Sequence, residues 1–187
     1  FVKALRDLKM IDVDEPFNNL FSQGMINYEG AKMSKSKGNI VDPEGYFKSH
    51  GADALRLHTL FMAPPSDGVD WKDGGIEGTK RFLNKLWENL AQIIDMKIDQ
   101  DNTNESGTEI ERQLNQAIES ITNHLEKFEF NTAVSDLMIL NNNLSNYLNN
   151  TKLISSELKD QIIKNVSLLI YPLAPHFGSE IYNNYFN

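Results

Sequence analysis

The 187-residue chain has no cysteine, which excludes disulfides and thiolate metal sites and is compatible with a cytosolic setting. No apolar run reaches the roughly 18 residues that a membrane-spanning helix needs, and no basic-then-apolar leader opens the chain. The four histidines, His50, His58, His124 and His176, stand apart without metal-ligand spacing. Positive charge is also scarce. A formal net charge of −8 argues against nonspecific coating of nucleic acid, which needs a broad basic surface to release counterions. Residues 1–75 hold nine basic and eleven acidic side chains, and residues 76–187 hold nine and fifteen. The acidity gathers in the second half, leaving room only for selective RNA contact through small basic patches.

A hydrophobic content of 40% suffices to build the core of one large domain or two small ones. The densest chemistry lies between Gly30 and Pro43. Three ammonium groups (Lys32, Lys35, Lys37) and two hydroxyls (Ser34, Ser36) fall within six residues, with Gly30 and Gly38 outside them to let the backbone bend. On composition alone such a turn reads as a solvated hairpin tip. The same inventory suits a mobile loop that grips polyphosphate: lysines supply point charges, and hydroxyls and loop N–H groups supply directional donors. Asp42-Pro43 then predicts a helix start, with Asp at the N-cap and Pro at the first helical position, so the loop hangs between a strand over 23–28 and a helix.

The chain opens inside a helical pattern (Phe1, Ala4, Leu5, Leu8) with no initiating methionine, which reads as a piece of a longer protein. Phe17, Leu20 and Phe21 predict a short apolar patch. A helix from Glu44 to Ser49 is expected to stop at Gly51 in a left-handed cap. A second runs from Ala52 to Phe61, with Leu55, Thr59 and Met62 inward, and ends before Pro64-Pro65. Arg56 in that apolar helix reads either as a buried ion-pair partner or as an RNA or loop contact. The polar segment 66–75 predicts a joint anchored by Trp71.

From Ile76 the period is helical throughout. Phe82, Leu83, Leu86, Trp87, Leu90, Ile93 and Ile94 mark one long amphipathic helix, and residues 99–107 a polar linker. Thr108 and Glu111 predict a capping box for a second helix carrying Ile110 through Leu125 and Phe128. A third carries Ala133 to Leu148, a fourth Leu158 to Ile170, and a last one follows Pro172 and Pro175. Such stripes bury against one another as an antiparallel bundle. Lys80, Arg81 and Lys85, within two turns of the first bundle helix, form the candidate RNA-phosphate contact, against the plainer alternative of a solvated helix face.

The ordered string Lys32-Met33-Ser34-Lys35-Ser36, followed by Gly38-Asn39 and Val41-Asp42-Pro43, resembles the KMSKS signature of class I aminoacyl-tRNA synthetases. Gly51-Ala52-Asp53-Ala54-Leu55-Arg56 is similar to a string shared by the isoleucyl, valyl and leucyl enzymes. Asp14-Glu15-Pro16-Phe17, Gln23-Gly24-Met25, Ala63-Pro64-Pro65, the run from Trp71 to Gly78, Arg81-Phe82-Leu83-Asn84, Asn131-Thr132-Ala133-Val134 and Pro172-Leu173-Ala174-Pro175-His176 resemble the bacterial-type leucyl-tRNA synthetases in order and spacing. The fold this implies is mainly α. A small α+β unit carrying the KMSKS loop, the C-terminal part of a catalytic region (1–75), precedes an antiparallel helical bundle of the anticodon-binding type (76–187).

The resemblance implies ATP-dependent activation of leucine and its transfer to tRNA(Leu) by a cytoplasmic, monomeric ligase that is not attached to a membrane. Lys32 and Lys35 would be catalytic, and Lys32, Met33, Ser34, Lys35 and Ser36 would bind ATP. Lys80, Arg81 and Lys85 would contact tRNA. Mg²⁺ is expected with ATP, without an identifiable ligand among these residues. The resemblance further implies that a nucleotide-binding core with its "HIGH" motif and an editing domain lie upstream and a small domain downstream, so the piece alone should not aminoacylate tRNA. A noncatalytic RNA-binding helical module, or the same region of an isoleucyl or valyl enzyme, are the alternatives.

Overall fold

The computed structural model describes residues 1–99 and 105–186. Helix α1 (Val2–Asp7) forms where the helical pattern predicts, but it buries nothing, and Phe1 and Leu8 face solvent. No residue before Asp53 is buried. Of the expected apolar patch, Phe17 and Leu20 are exposed, while Phe21 stacks on Phe128 with ring centroids 5.0 Å apart.

Strand β1 (Ile26–Tyr28) is shorter than the alternation predicts. It pairs antiparallel with β2 (Ala31–Lys32) across a turn at Glu29-Gly30, and parallel with β3 (Val69–Asp70). The segment expected as a bare joint therefore supplies a strand, and β1 sits at the sheet centre. Gly24 makes this possible, because a Cβ there would lie 2.0 Å from the Asp67 carbonyl oxygen. Its N–H donates to Pro65 O at 2.7 Å.

Helix α2 (Pro43–His50) starts as predicted, its Asp42 cap accepting from Glu44 N at 3.0 Å. Gly51 ends it, yet not in the left-handed helical well: φ is 86° and ψ is 158°, a region open in practice to glycine alone. The same residue is the N-cap of α3 (Ala52–Phe61), so one glycine reverses the chain between two helices. The inward face of α3 is Asp53, Ala54, Leu55, Leu57 and His58. Thr59 is exposed and its hydroxyl donates to Leu55 O, which corrects the expected stripe. The bundle lies to one side of α3, and the face at 53, 54, 57 and 58 is the one that meets it.

The bundle comprises α4 (Gly75–Asp95), α5 (Glu105–Glu126), α6 (Phe130–Asn150), α7 (Ser156–Ile170) and α8 (Pro175–Phe186). Their stripes close on a core in which Leu86, Leu90, Ile93, Ile121, Leu137, Leu140, Leu144, Ile162 and Val166 are almost fully buried, and Ala54, Leu57 and Trp71 belong to the same core. A buried large aliphatic side chain contributes roughly 1.5–3 kcal/mol.

Two expectations for α5 are corrected. The helix has already begun at Glu105, so Thr108 lies inside it and caps nothing. Of the polar linker expected over 99–107, residues 100–104 lie outside the described residues. Phe128 is beyond the helix end, at φ 60°. Phe128 N donates to Leu125 O and Glu129 N to His124 O, the paired bonds of a Schellman ending with phenylalanine where glycine is usual.

Strands β4 (Lys97–Ile98) and β5 (Leu153–Ile154) pair in parallel across the bundle end. Lys159, almost buried, donates to Ile94 O and Met96 O and so satisfies the last carbonyls of α4. Among the described residues no helix is long and apolar enough to cross a membrane.

Candidate nucleotide loop and its attachment to the bundle

The lysine loop springs from β2 and runs into α2. Lys32, the last residue of β2, faces Asn27 across the ladder, which fixes the loop's first end. Residues 35–37 form one turn of 3-10 helix, and Gly38 leaves it at φ 69°. Asn39 closes the loop on itself: its side-chain oxygen accepts from Ser34 N at 2.9 Å and its amide donates to Lys32 O at 3.2 Å. The Ser34 and Ser36 hydroxyls lie 2.9 Å apart, so the two serines shape the turn together.

Met33 is the loop's anchor, partly buried against the core. Lys32, Lys35 and Lys37 are exposed, and none has an ion-pair partner among the described residues. Three ammonium groups without ion-pair partners among the described residues, on a turn stapled by Asn39, make a cationic surface suited to phosphate oxygens.

The three cations of α4 do not form one patch. Lys80 is turned toward α2, donating to Ser49 O at 2.9 Å, where it satisfies a carbonyl of the last turn. Arg81 and Lys85 are exposed one turn apart, and Lys85 lies 3.6 Å from Glu88. Glu77 hydrogen-bonds His50, which holds its carboxyl below the usual range, with smaller help from Lys80 and Arg81.

Behind the loop, Asp73 joins three elements. Its Oδ1 accepts from the Tyr46 hydroxyl of α2 and, at 2.7 Å, from Trp71 Nε1. These bonds, Tyr46 first, hold the Asp73 carboxyl below its ordinary range, and the reciprocal bond raises Tyr46. Trp71 is buried as expected of an anchor, its ring meeting the His58 ring edge-to-face with centroids 4.9 Å apart. Gly75 lets His58 in, since a Cβ there would lie 2.3 Å from His58 Cε1. Burial holds the His58 pKa below its usual value, and the Lys72 backbone opposes this.

Helix α3 carries the load between loop unit and bundle. Asp53, 8% exposed, accepts from Phe177 N at 2.6 Å and from His176 Nδ1 at 2.9 Å, capping α8 from another helix. One turn on, Arg56 donates to Leu173 O and Pro172 O. Of the readings of Arg56 from sequence, the buried ion pair does not hold and the loop contact does: its partners are backbone carbonyls of the loop between α7 and α8. Acid at the start of α8 and base at the end of α7 complement both helix dipoles. Beside this contact a groove of about 590 Å³ is lined by Asp53, Leu83, Trp87, His176 and Phe177.

Sequence reasoning missed Asn39, Asp53 and Asp73. Asp53 lay in a string already singled out, and its polar character inside an apolar helix was the available signal. Asn39 and Asp73 also lay in quoted strings, but no pattern there marks Asn39 as the partner of Ser34 and Lys32, and Asp73 meets Tyr46 only through folding.

Residues 4–72 match the family model described as tRNA synthetases class I (I, L, M and V), and residues 108–187 match that of the anticodon-binding domain of tRNA ligase. The stapled lysine loop followed by a helical bundle is thus a region of a class I tRNA synthetase. Leucine–tRNA ligase of Petrotoga mobilis is 48% identical over 98% of this chain, and that of Thermosipho melanesiensis is 45% identical over 97%. The chain belongs to the leucine–tRNA ligase family. It spans 23% of the length of each of those relatives. Among solved structures, the Agrobacterium radiobacter K84 agnB2 LeuRS–tRNA–LeuAMS ternary complex superposes with a TM-score of 0.82 at 33% identity, covering 97% of this chain and 24% of that one. A Mycobacterium tuberculosis methionyl-tRNA synthetase bound to methionyl-adenylate shares the fold, with a TM-score of 0.68 at 20% identity over 87% of this chain and 37% of that one.

Proposed function

We propose that the chain serves in ATP-dependent leucine activation and transfer to tRNA(Leu), supplying one wall of the active site and a docking bundle. The carrying observation is the cationic loop: Lys32 and Lys35 exposed, without ion-pair partners among the described residues, on a turn stapled by Asn39. In the reaction a leucine carboxylate oxygen attacks the α-phosphorus of ATP, and the α–β phosphoanhydride bond breaks. Pyrophosphate then leaves with the bonding electron pair. Lys35 stabilises the charge gathering on that leaving group, Lys32 holds the triphosphate, and Met33, Ser34 and Ser36 shape the loop around it. These roles are electrostatic and positional.

The loop's ammonium groups suit phosphate oxygens and repel a divalent cation, and among the described residues no cluster of three acidic or histidine side chains could hold a metal. Mg²⁺ would therefore arrive with ATP, on its phosphates. The bundle, with Arg81 and Lys85 exposed on α4, is the side that meets tRNA, and Lys80 joins them if α2 shifts. The reading includes a division near residue 75 between loop unit and bundle, and, by kinship, a cytoplasmic monomer.

The test is pyrophosphate exchange by the full-length polypeptide carrying this region, with Lys35→Ala. Loss of one well-aimed donor lowers kcat by about 10²–10³, roughly 3–4 kcal/mol, while tRNA still binds. Exchange at the unaltered rate would leave Lys35 a surface lysine and refute the assignment. The region alone is expected not to aminoacylate tRNA.

A further inference from the structure

The loop has two ends, and they are held differently. Its first end is built into the sheet through the pairing of Lys32 with Asn27. Its second end is the first turn of α2, a helix with no buried residue. Beside the half-buried Tyr46 ring, which packs against the core, such a helix is held by its polar contacts. Among the described residues three of these tie α2 to the body, and two of them grip only its last turn: His50 Nε2 to Glu77 Oε1 at 2.7 Å, and Lys80 Nζ to Ser49 O at 2.9 Å.

The third, Tyr46 to Asp73, lies one turn from Pro43 and is the polar attachment of α2 nearest the loop, beside Met33 in the loop and Val41 just before the helix, which pack against the core. Asp73 is itself registered to the core, because the same carboxylate oxygen accepts from Trp71 Nε1 and Trp71 is buried. The Tyr46 ring also meets Trp71 edge-on, with centroids 5.4 Å apart. A continuous path therefore runs from the bundle core through Trp71, Asp73 and Tyr46 to the residue pair Asp42-Pro43 on which the loop ends.

We infer that Tyr46, through its hydrogen bond to Asp73, is a positioning residue for the lysine loop, setting where Lys35 is presented to the nucleotide. Tyr46 does not touch ATP. It fixes the direction in which α2 leaves the core, and the loop follows because its other end is paired into the sheet. This rests on the proposed role of Lys35. The phenol ring packs with or without its hydroxyl, so Tyr46→Phe keeps the contact with Trp71 and removes only the registering bond. A displacement of the order of 1 Å at a reacting group costs up to about 10²-fold in rate, so loosening this bond lowers the rate of activation by about tenfold.

The experiment is pyrophosphate exchange by the full-length polypeptide carrying this region, unaltered or with Tyr46→Phe, Lys48→Ala or Lys35→Ala, alongside thermal melting and tRNA binding. Lys48 lies on the same helix and, among the described residues, pairs with the exposed Glu44 alone. The expected result is a fall of about tenfold in kcat for Tyr46→Phe, with the KM for leucine, the Kd for tRNA and the melting temperature unchanged, and no fall for Lys48→Ala. If Lys48→Ala slows exchange as much as Tyr46→Phe does, the effect is general loosening of α2 and the inference is overturned. If Lys35→Ala collapses exchange while Tyr46→Phe leaves it intact, the function stands and the inference is overturned. If Lys35→Ala leaves exchange intact, the reading of the loop fails and takes the inference with it.

Discussion

Replacing Asp53 by alanine removes the acceptor that caps α8 from α3. The carboxylate is 8% exposed and makes two bonds, to Phe177 N at 2.6 Å and His176 Nδ1 at 2.9 Å. They are unequal. The His176 side chain is 79% exposed, and solvent screens an exposed ion pair to between about 0 and 1 kcal/mol. The Phe177 N–H is a partly buried orphan donor of the first turn, and a hydrogen bond to a charged acceptor contributes about 1.5–3 kcal/mol. The loss for Asp53→Ala is therefore about 2–3 kcal/mol, with most of it from the backbone donor. Asp53→Asn keeps a neutral oxygen for Phe177 N and should lose about 1 kcal/mol, and His176→Ala less than about 1 kcal/mol. Urea denaturation followed by circular dichroism reads these as shifts in midpoint at constant slope. Two results would refute the reasoning: Asp53→Ala within about 0.5 kcal/mol of the parent chain, or His176→Ala as costly as Asp53→Ala.

Gly24→Ala should unseat β1 from β3, because the added Cβ would fall 2.0 Å from Asp67 O; faster amide exchange at Val69 and Trp71, which donate to Met25 O and Asn27 O, is the check. The pH dependence has two arms. Burial lowers the His58 pKa from 6.5, so below that pH the unfolded chain takes up a proton that the fold refuses, and stability falls as pH drops; His58→Gln should flatten this arm. Burial chiefly pushes the Tyr147 and Tyr185 hydroxyls up to about 12 from 10.0, so above pH 10 the unfolded state ionises first and stability falls as pH rises toward 12; Tyr147→Phe should reduce the slope of that arm and leave the share of Tyr185, read by denaturation at stepped pH.

Much of the fold was legible because its signals are local. The stripes of α4 to α8 step at helical spacing, and such stripes have to find one another. Asp42-Pro43 announced α2, and Pro64-Pro65 forbade α3 from continuing. The lysine loop was legible for the same reason, since its chemistry sits on consecutive residues. Phe128 misled because it sits in step with the stripe ahead of it, while the helix ends through a left-handed residue that is not glycine. Thr108 misled because the α5 stripe is preceded by polar residues that fold into the helix all the same.

The sequence by itself determined which segments are helical and where the lysine-rich loop lies, since each depends on residues close along the chain. Only the tertiary structure decided what holds the loop. Asp73 meets Tyr46 of α2, and Asp53 and Arg56 act on partners that no local pattern links to them, Arg56 across more than a hundred residues to Pro172 and Leu173. A hydrogen bond of this kind has no period. It forms because the burial of the stripes has already brought an unpaired donor and an unpaired acceptor together, and an unmet polar group costs more in the fold than in water.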